Sequence, residues 1–320
     1  MHKSLPDKTK QFFFVLIKLS IVVGAFYFIY HKLLNNDGLN FNDFWQFLND
    51  SNLLSIKNVL ILIGLSIFNW FFEITKWRYL VSKIKTLSFS EALAQSLGSL
   101  TASLFTPNRI GEYGAKAIYY SKPYRKRILF VNLISNIMQM GITVILGSIG
   151  FLFYYNSYNI NINYINISRT VLIIIILLVL SIFVLKQTKH KTKGLCIKKT
   201  RPFIADLGLN YLIIGLSLSL LRYAIFSFQF YFILSLFNVP LHYWDAMTII
   251  TTLYFLASII PTISILDIVI KGSIAIYLFG LAGITELPVL SCVLLMWLLN
   301  FALPSIIGSY FVLNFNLPKN

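Results

Sequence analysis

Charge is what this chain has least of. Only 12% of its 320 residues are charged, and Asp and Glu together number 11 against 27 Lys and Arg. That leaves too little polar surface to coat the core of a soluble domain. Cysteine is nearly absent. Cys196 falls in a basic loop and Cys292 in an apolar run, neither with a partner at ligand spacing, so neither a disulfide framework nor a zinc site is expected. The four histidines (His2, His31, His190, His242) also lack metal spacing. No Gly-rich nucleotide loop and no nucleophile elbow is found, and the pair Gly111 and Gly114 is too weak a spacing to count. The sequence therefore points away from an enzyme, a metal and a cofactor. No small-residue cleavage site follows the first apolar run, which Lys18 interrupts; it reads as a retained span rather than a signal peptide.

What the chain does have is apolar length. Hydrophobic residues make up 57%, gathered in blocks such as 171–185, where no charge occurs. A bilayer crossing needs about 20 apolar residues, and candidate spans lie at 12–30, 58–81, 128–155, 169–185, 209–237 and 288–313. Tyr154, Tyr155, Trp45, Tyr243 and Trp244 stand near block ends, where amphipathic rings suit the headgroup layer. Phe41, Phe44, Trp45 and Leu48 recur at helical spacing, as expected of an amphipathic surface helix. The net charge of +16 suits loop anchoring rather than nucleic acid, because the basic residues cluster between the blocks.

Two stretches break the pattern. The run 91–105 stops at Thr106 and Pro107, and 244–260 stops at Pro261; charged helical runs follow at 108–120 and 264–279. Read as re-entrant hairpins, they place twenty basic residues on one side of the membrane and three (Lys32, Lys57, Arg169) on the other. Arg109, Lys116, Arg222 and Lys271 are left at membrane depth. The positive-inside rule favours that arrangement. The expected fold is an all-α polytopic membrane protein, one integral domain over 1–320. It has six spans, two opposed re-entrant hairpins and both termini cytoplasmic. Two halves, about 58–155 and 209–313, form a candidate inverted-topology repeat, a pattern found in transporters. The halves also echo each other: Pro107, Glu112 and Lys116 against Pro261, Asp267 and Lys271.

An acid and a Lys four residues on share one helix face. Each charge inside a bilayer costs about 2.5–3.5 kcal/mol on the lenient scale, so such residues pair and commonly mark a pathway. Glu112–Lys116 and Asp267–Lys271 could pin the hairpin tips to the bundle or line a polar cavity. Thr106 before Pro107 is a candidate N-cap, and Ser264 three residues before Asp267 makes a capping-box-like start. Helix N-termini at that depth would attract anions. Arg109 either offers a phosphate fork or snorkels to water. Arg222 lies deep in apolar sequence. Glu73 has Lys76 at i+3 as its simplest partner. Asn132, Asn136 and Gln139 form a stripe suited to bonding between helices.

The segment from Leu104 to Lys116 resembles a signature of the lysylphosphatidylglycerol synthase transmembrane-region family, or flippase-like domain proteins. Thr106, Pro107, Gly111 and Glu112 match it. The segment from Pro261 to Lys271 looks like the family's second signature. Here Asp267 stands where a Glu is usual, and Ile263, Ser264, Ile265 and Leu266 replace the expected glycines. The resemblance implies translocation of lipids between leaflets of a bacterial cytoplasmic membrane. The aminoacyl transfer of the family's fused synthase is not carried over. Membrane lipids are then the expected partners, with a homo-oligomer or an envelope-biosynthesis protein also open. The expected headgroup site is Arg109, Glu112, Lys116, Arg222, Asp267 and Lys271, with helix breaks at Thr106, Pro107, Gly111, Pro261 and Ser264. Two rival expectations are an ion-coupled transporter of a small solute, titrating Glu112 and Asp267, and an accessory subunit of envelope lipid or glycan synthesis.

Overall fold

A computed structural model describes residues 51–104, 106, 109–158, 208–260 and 267–316, with positions 23 and 49. The expected spans at 12–30 and 169–185 lie outside the described residues. So do the surface helix at 41–48, Trp45, and the breaks at Pro107, Pro261 and Ser264.

The described chain is helical and without strands. A short 3-10 turn, Asn52–Leu54, precedes α1, Ile56–Val81. Then come α2, Phe89–Ser103, α3, Ile110–Ile118, and α4, Lys122–Ser157. The second half holds α5, Leu209–Leu236, α6, Tyr243–Ile259, α7, Asp267–Leu281, and α8, Glu286–Leu313. Helices α1, α4, α5 and α8 are long and apolar enough to cross a membrane. At 1.5 Å per residue the 15 residues of α2 reach only about 22 Å. Their outer faces are apolar: Ile56, Leu60, Ile67 and Phe68 on α1, and Ile137, Ile145, Leu152 and Phe153 on α4, are all exposed. A soluble monomer does not carry such a surface, whereas a bilayer solvates it.

Several boundaries move from where the sequence puts them. The 36 residues of α4 begin at Lys122, so Lys122, Arg125, Lys126 and Arg127 form its first turns rather than a loop. Ser88 starts α2 with a capping box: its Oγ accepts from the Glu91 N–H, and the Glu91 carboxylate accepts from the Ser88 N–H. Tyr154 is not a headgroup anchor. It is fully buried and donates its hydroxyl to the Leu278 carbonyl of α7 at 2.8 Å. Trp244, by contrast, is well exposed.

Packing runs across the two halves. Alongside α1 lies α5; α2 lies along the C-terminal part of α8, and α6 along α4. Of the short helices, α2 and α6 thus take their main neighbour from the other half, whereas α3 packs on α2 and α4, and α7 on α8 and α6. The close approaches depend on glycine. A Cβ at Gly308 of α8 would strike the Leu97 carbonyl and Thr101 of α2, and one at Gly150 of α4 would strike Thr251 of α6. Small residues at such crossings let helix backbones meet where lipid supplies no hydrophobic drive. The Thr101 hydroxyl, donating to the Ser305 carbonyl at 2.8 Å, ties the first of these contacts.

One irregularity reaches the interior. Helix α8 widens to a π-turn over Leu298–Ala302. Pro304 has no N–H to give the carbonyl four residues back. That carbonyl, of Asn300, instead accepts from the Trp70 indole N–H at 3.1 Å.

Candidate functional site

Deep in α1, one face over two turns places Asn69, Trp70, Glu73 and Lys76 toward the protein interior. The Glu73 carboxylate accepts from Lys76 Nζ at 2.8 Å and from Arg222 of α5 at 2.8 Å. The sequence expectation of a Glu73–Lys76 pair holds, but the carboxylate is shared with Arg222. Lys76 is 1% exposed. It therefore leaves the basic loop cluster assigned to it from sequence and becomes a base buried inside the bundle. Arg222 also donates from Nε to Asn69 at 3.2 Å and, weakly, to Gln139 at 3.5 Å.

Beside this triad sits the first echo motif. Lys116 Nζ lies 2.7 Å from Glu112, 3.0 Å from Asn132 Oδ1 and 4.1 Å over the Trp77 ring. Asn136 donates to the Tyr113 hydroxyl at 2.9 Å. The polar stripe on α4 therefore does bond between helices: Asn132 and Asn136 reach α3, and Gln139 reaches α1 and α5.

The start of α3 explains the Thr106–Gly111–Glu112 spacing. Thr106 Oγ1 accepts from the Gly111 N–H at 2.9 Å and donates to the Ser103 carbonyl at 2.8 Å, tying the end of α2 to the start of α3. A Cβ on Gly111 would stand 2.8 Å from Thr106 Cγ2, so glycine lets the threonine close in. The helix begins at Ile110, later than the expected 108, and Arg109 occupies the N-cap in the left-handed region at φ 55. Two leading N–H groups are already used, Gly111 by Thr106 and Glu112 by the Arg109 carbonyl. The start of α3 is thus less open to an anion than the sequence suggested.

For an L-residue that backbone conformation costs roughly 1–2 kcal/mol, and glycine or asparagine suits it better. Keeping Arg there points to its side chain. The Arg109 guanidinium lies 4.9 Å over the Phe301 ring. Among the described residues it has no hydrogen bond or ion pair. It is half-buried and lines both cavities of the site.

The larger cavity, about 430 Å³, has Arg109, Arg222, Asp267 and Lys271 among its lining residues. Its other walls are aromatic, with Phe226, Phe230, Tyr254 and Trp297 among them. Asp267 and Lys271 pair at 2.8 Å on α7. The smaller cavity, about 40 Å³, lies among Glu73, Ser96, Glu112 and Lys116. Trp70, Arg109 and Arg222 line both. All six charged residues expected from sequence thus gather around two adjoining cavities.

Sequence reasoning missed the neutral frame beneath them. Asn69 donates to Asn300 at 2.8 Å, Asn300 to Gln229 at 2.8 Å, and Gln229 to Ser66 at 3.0 Å. This network joins α1, α5 and the π-turn under the larger cavity. Its only signal in the sequence is the placing of single amides in apolar runs.

Fold and site together define a polytopic helical membrane protein that shelters a charged, aromatic-walled cavity between its spans. The family model of the lysylphosphatidylglycerol synthase TM region matches residues 15–308, and the chain belongs to that family. Membership ties it to membrane-lipid biosynthesis or translocation. No curated protein matches it.

Proposed function

We propose that this protein translocates lipid, passing an anionic headgroup through the cavity while the tails stay in the bilayer. The observation that carries this reading is Arg109, a guanidinium with no ion pair or hydrogen bond among the described residues, held on a costly backbone where two cavities meet. A guanidinium without an ion pair is costly inside a membrane protein, and an arriving phosphate would relieve it. No bond-making step is part of the reading.

The same proposal takes α2–α3 and α6–α7 as re-entrant hairpins entering from opposite faces. Their exchanged partners, α8 for α2 and α4 for α6, support an inverted repeat of 58–155 and 209–313. Both termini then face the cytoplasm, in a bacterial cytoplasmic membrane. Labelling of cysteines at 120–127 by an impermeant reagent from outside the cell would refute this topology.

Activity is tested by reconstitution in liposomes with fluorescent lipids. Leaflet exchange of an anionic phospholipid or polyprenyl lipid, lost in Arg109→Ala, is expected; no exchange with any such lipid sinks the proposal. Proton flux coupled to a soluble substrate would favour the ion-coupled alternative. That alternative has to titrate Glu112 and Asp267, both of which already hold a Lys within 2.8 Å.

A further inference from the structure

The charges around the two cavities do not cancel. Asp267 offsets Lys271, and Glu112 offsets Lys116. Glu73 is shared by Lys76 and Arg222, which leaves one positive charge. Arg109 adds another, so five bases and three acids leave +2. The excess has a definite place. Lys76 is buried against Glu73, whereas Arg222 keeps a fifth of its side chain exposed. Arg109 and Arg222 are the two charged residues that line both cavities. Ser96, whose buried hydroxyl has no partner among the described residues, lines the smaller one.

A low-dielectric site is most stable when its ligand brings it to neutrality. A zwitterionic headgroup leaves both excess charges standing, and a phosphodiester offsets one. A phosphomonoester carries about −1.5 to −2 at pH 7, and a diphosphate at least as much. Each guanidinium offers a planar fork that takes two phosphate oxygens at once. From this count we infer that the preferred headgroup carries two negative charges on phosphate, as a lipid phosphomonoester or diphosphate. It is clamped between Arg109 and Arg222 where the cavities join. The inference rests on the translocator reading for its lipid source; the aromatic side chains that share the larger cavity with the arginines give an apolar tail a place to begin.

The test uses the full chain in phosphatidylcholine nanodiscs, with binding followed by thermophoresis. The probes are farnesyl phosphate, farnesyl diphosphate, dioctanoyl phosphatidylglycerol and inorganic diphosphate. Both farnesyl probes should bind about tenfold or more tighter than the phosphatidylglycerol. Inorganic diphosphate should bind about tenfold more weakly than farnesyl diphosphate; equal binding would mean that the free anion is the ligand and would overturn the lipid assignment. Arg109→Gln, which breaks no ion pair among the described residues, should erase the preference. Glu73→Gln raises the site charge to +3 and should tighten binding of the diphosphate. Equal affinity for the singly and doubly charged lipids, or an Arg109→Gln variant that binds as the native chain does, overturns the inference. Liposome exchange is scored separately. Phosphatidylglycerol exchange without a dianion preference removes this inference and leaves the translocator, while dianion binding without any exchange does the reverse.

Discussion

The two halves carry the same echo, an acid with a Lys four residues on, and use it differently. In the first half Lys116 is 1% and Glu112 14% exposed, and Asn132 and the Trp77 ring hold the lysine further. In the second half Lys271 is 32% and Asp267 27% exposed, and the pair has no other hydrogen bond or ion pair among the described residues. Both were legible as charges at membrane depth, and both could have been pins or cavity walls. The first is built as a pin that also borders a small cavity; the second stands in the open wall of the large one. Identical spacing sets a pair on one helix face. What packs against that face then decides whether the charges are locked or available.

The largest effect should come from breaking the pin. Lys116→Met strands the Glu112 carboxylate in a nearly closed site, and loss of one partner of a buried pair costs about 3–5 kcal/mol. Lys271→Met, in the half-open pair, should cost about 1 kcal/mol or less. Denaturation of the two variants in the same detergent checks this, and equal losses would erase the contrast. Where the halves are alike, their variants should match. Gly308→Val and Gly150→Val each push a short helix off its span and should each cost about 1–3 kcal/mol, with a large inequality counting against equivalent packing.

Smaller effects separate the break from the charge. Thr106→Val removes the acceptor for the Gly111 N–H and should cost about 1 kcal/mol in the same unfolding measurement. Arg109→Gly should leave stability unchanged, or raise it by up to about 1 kcal/mol as backbone strain is released. Leaflet exchange should nevertheless fall by about tenfold or more. A variant that loses stability and exchange together would make Arg109 structural, and the two hairpins would then differ in nothing but burial.

Much of this was legible because a bilayer penalises exceptions. Arg109, Glu112, Lys116, Arg222, Asp267 and Lys271 stood out as charges in apolar sequence, and they gather around two adjoining cavities. Lys76 was hidden by its place beside Arg78, Lys83 and Lys85. Two residues of helical phase part it from Arg78: Lys76 turns inward to Glu73 and Arg78 is exposed, while Lys83 and Lys85 lie past the end of α1. Glu73 had a sufficient local partner, so nothing pointed to Arg222 across 149 residues. The Asn69–Asn300–Gln229 network was invisible for the same reason, since hydrogen bonding between spans leaves no local periodicity. Pro304 was a readable sign of a break in α8, but the carbonyl it frees gained meaning only with Trp70 beside it.

By itself, the sequence determined that the chain is a helical membrane protein, where four of its long helices run, and that two short helix pairs carry charges within apolar surroundings. Those are consequences of composition and local spacing, which act over one or two turns. Tertiary structure alone decided which charges neutralise one another and that two guanidiniums remain in excess at the junction of two cavities. Charge compensation depends on distances between helices far apart in the chain, and the Gly308 and Gly150 crossings set those distances only once the bundle has closed.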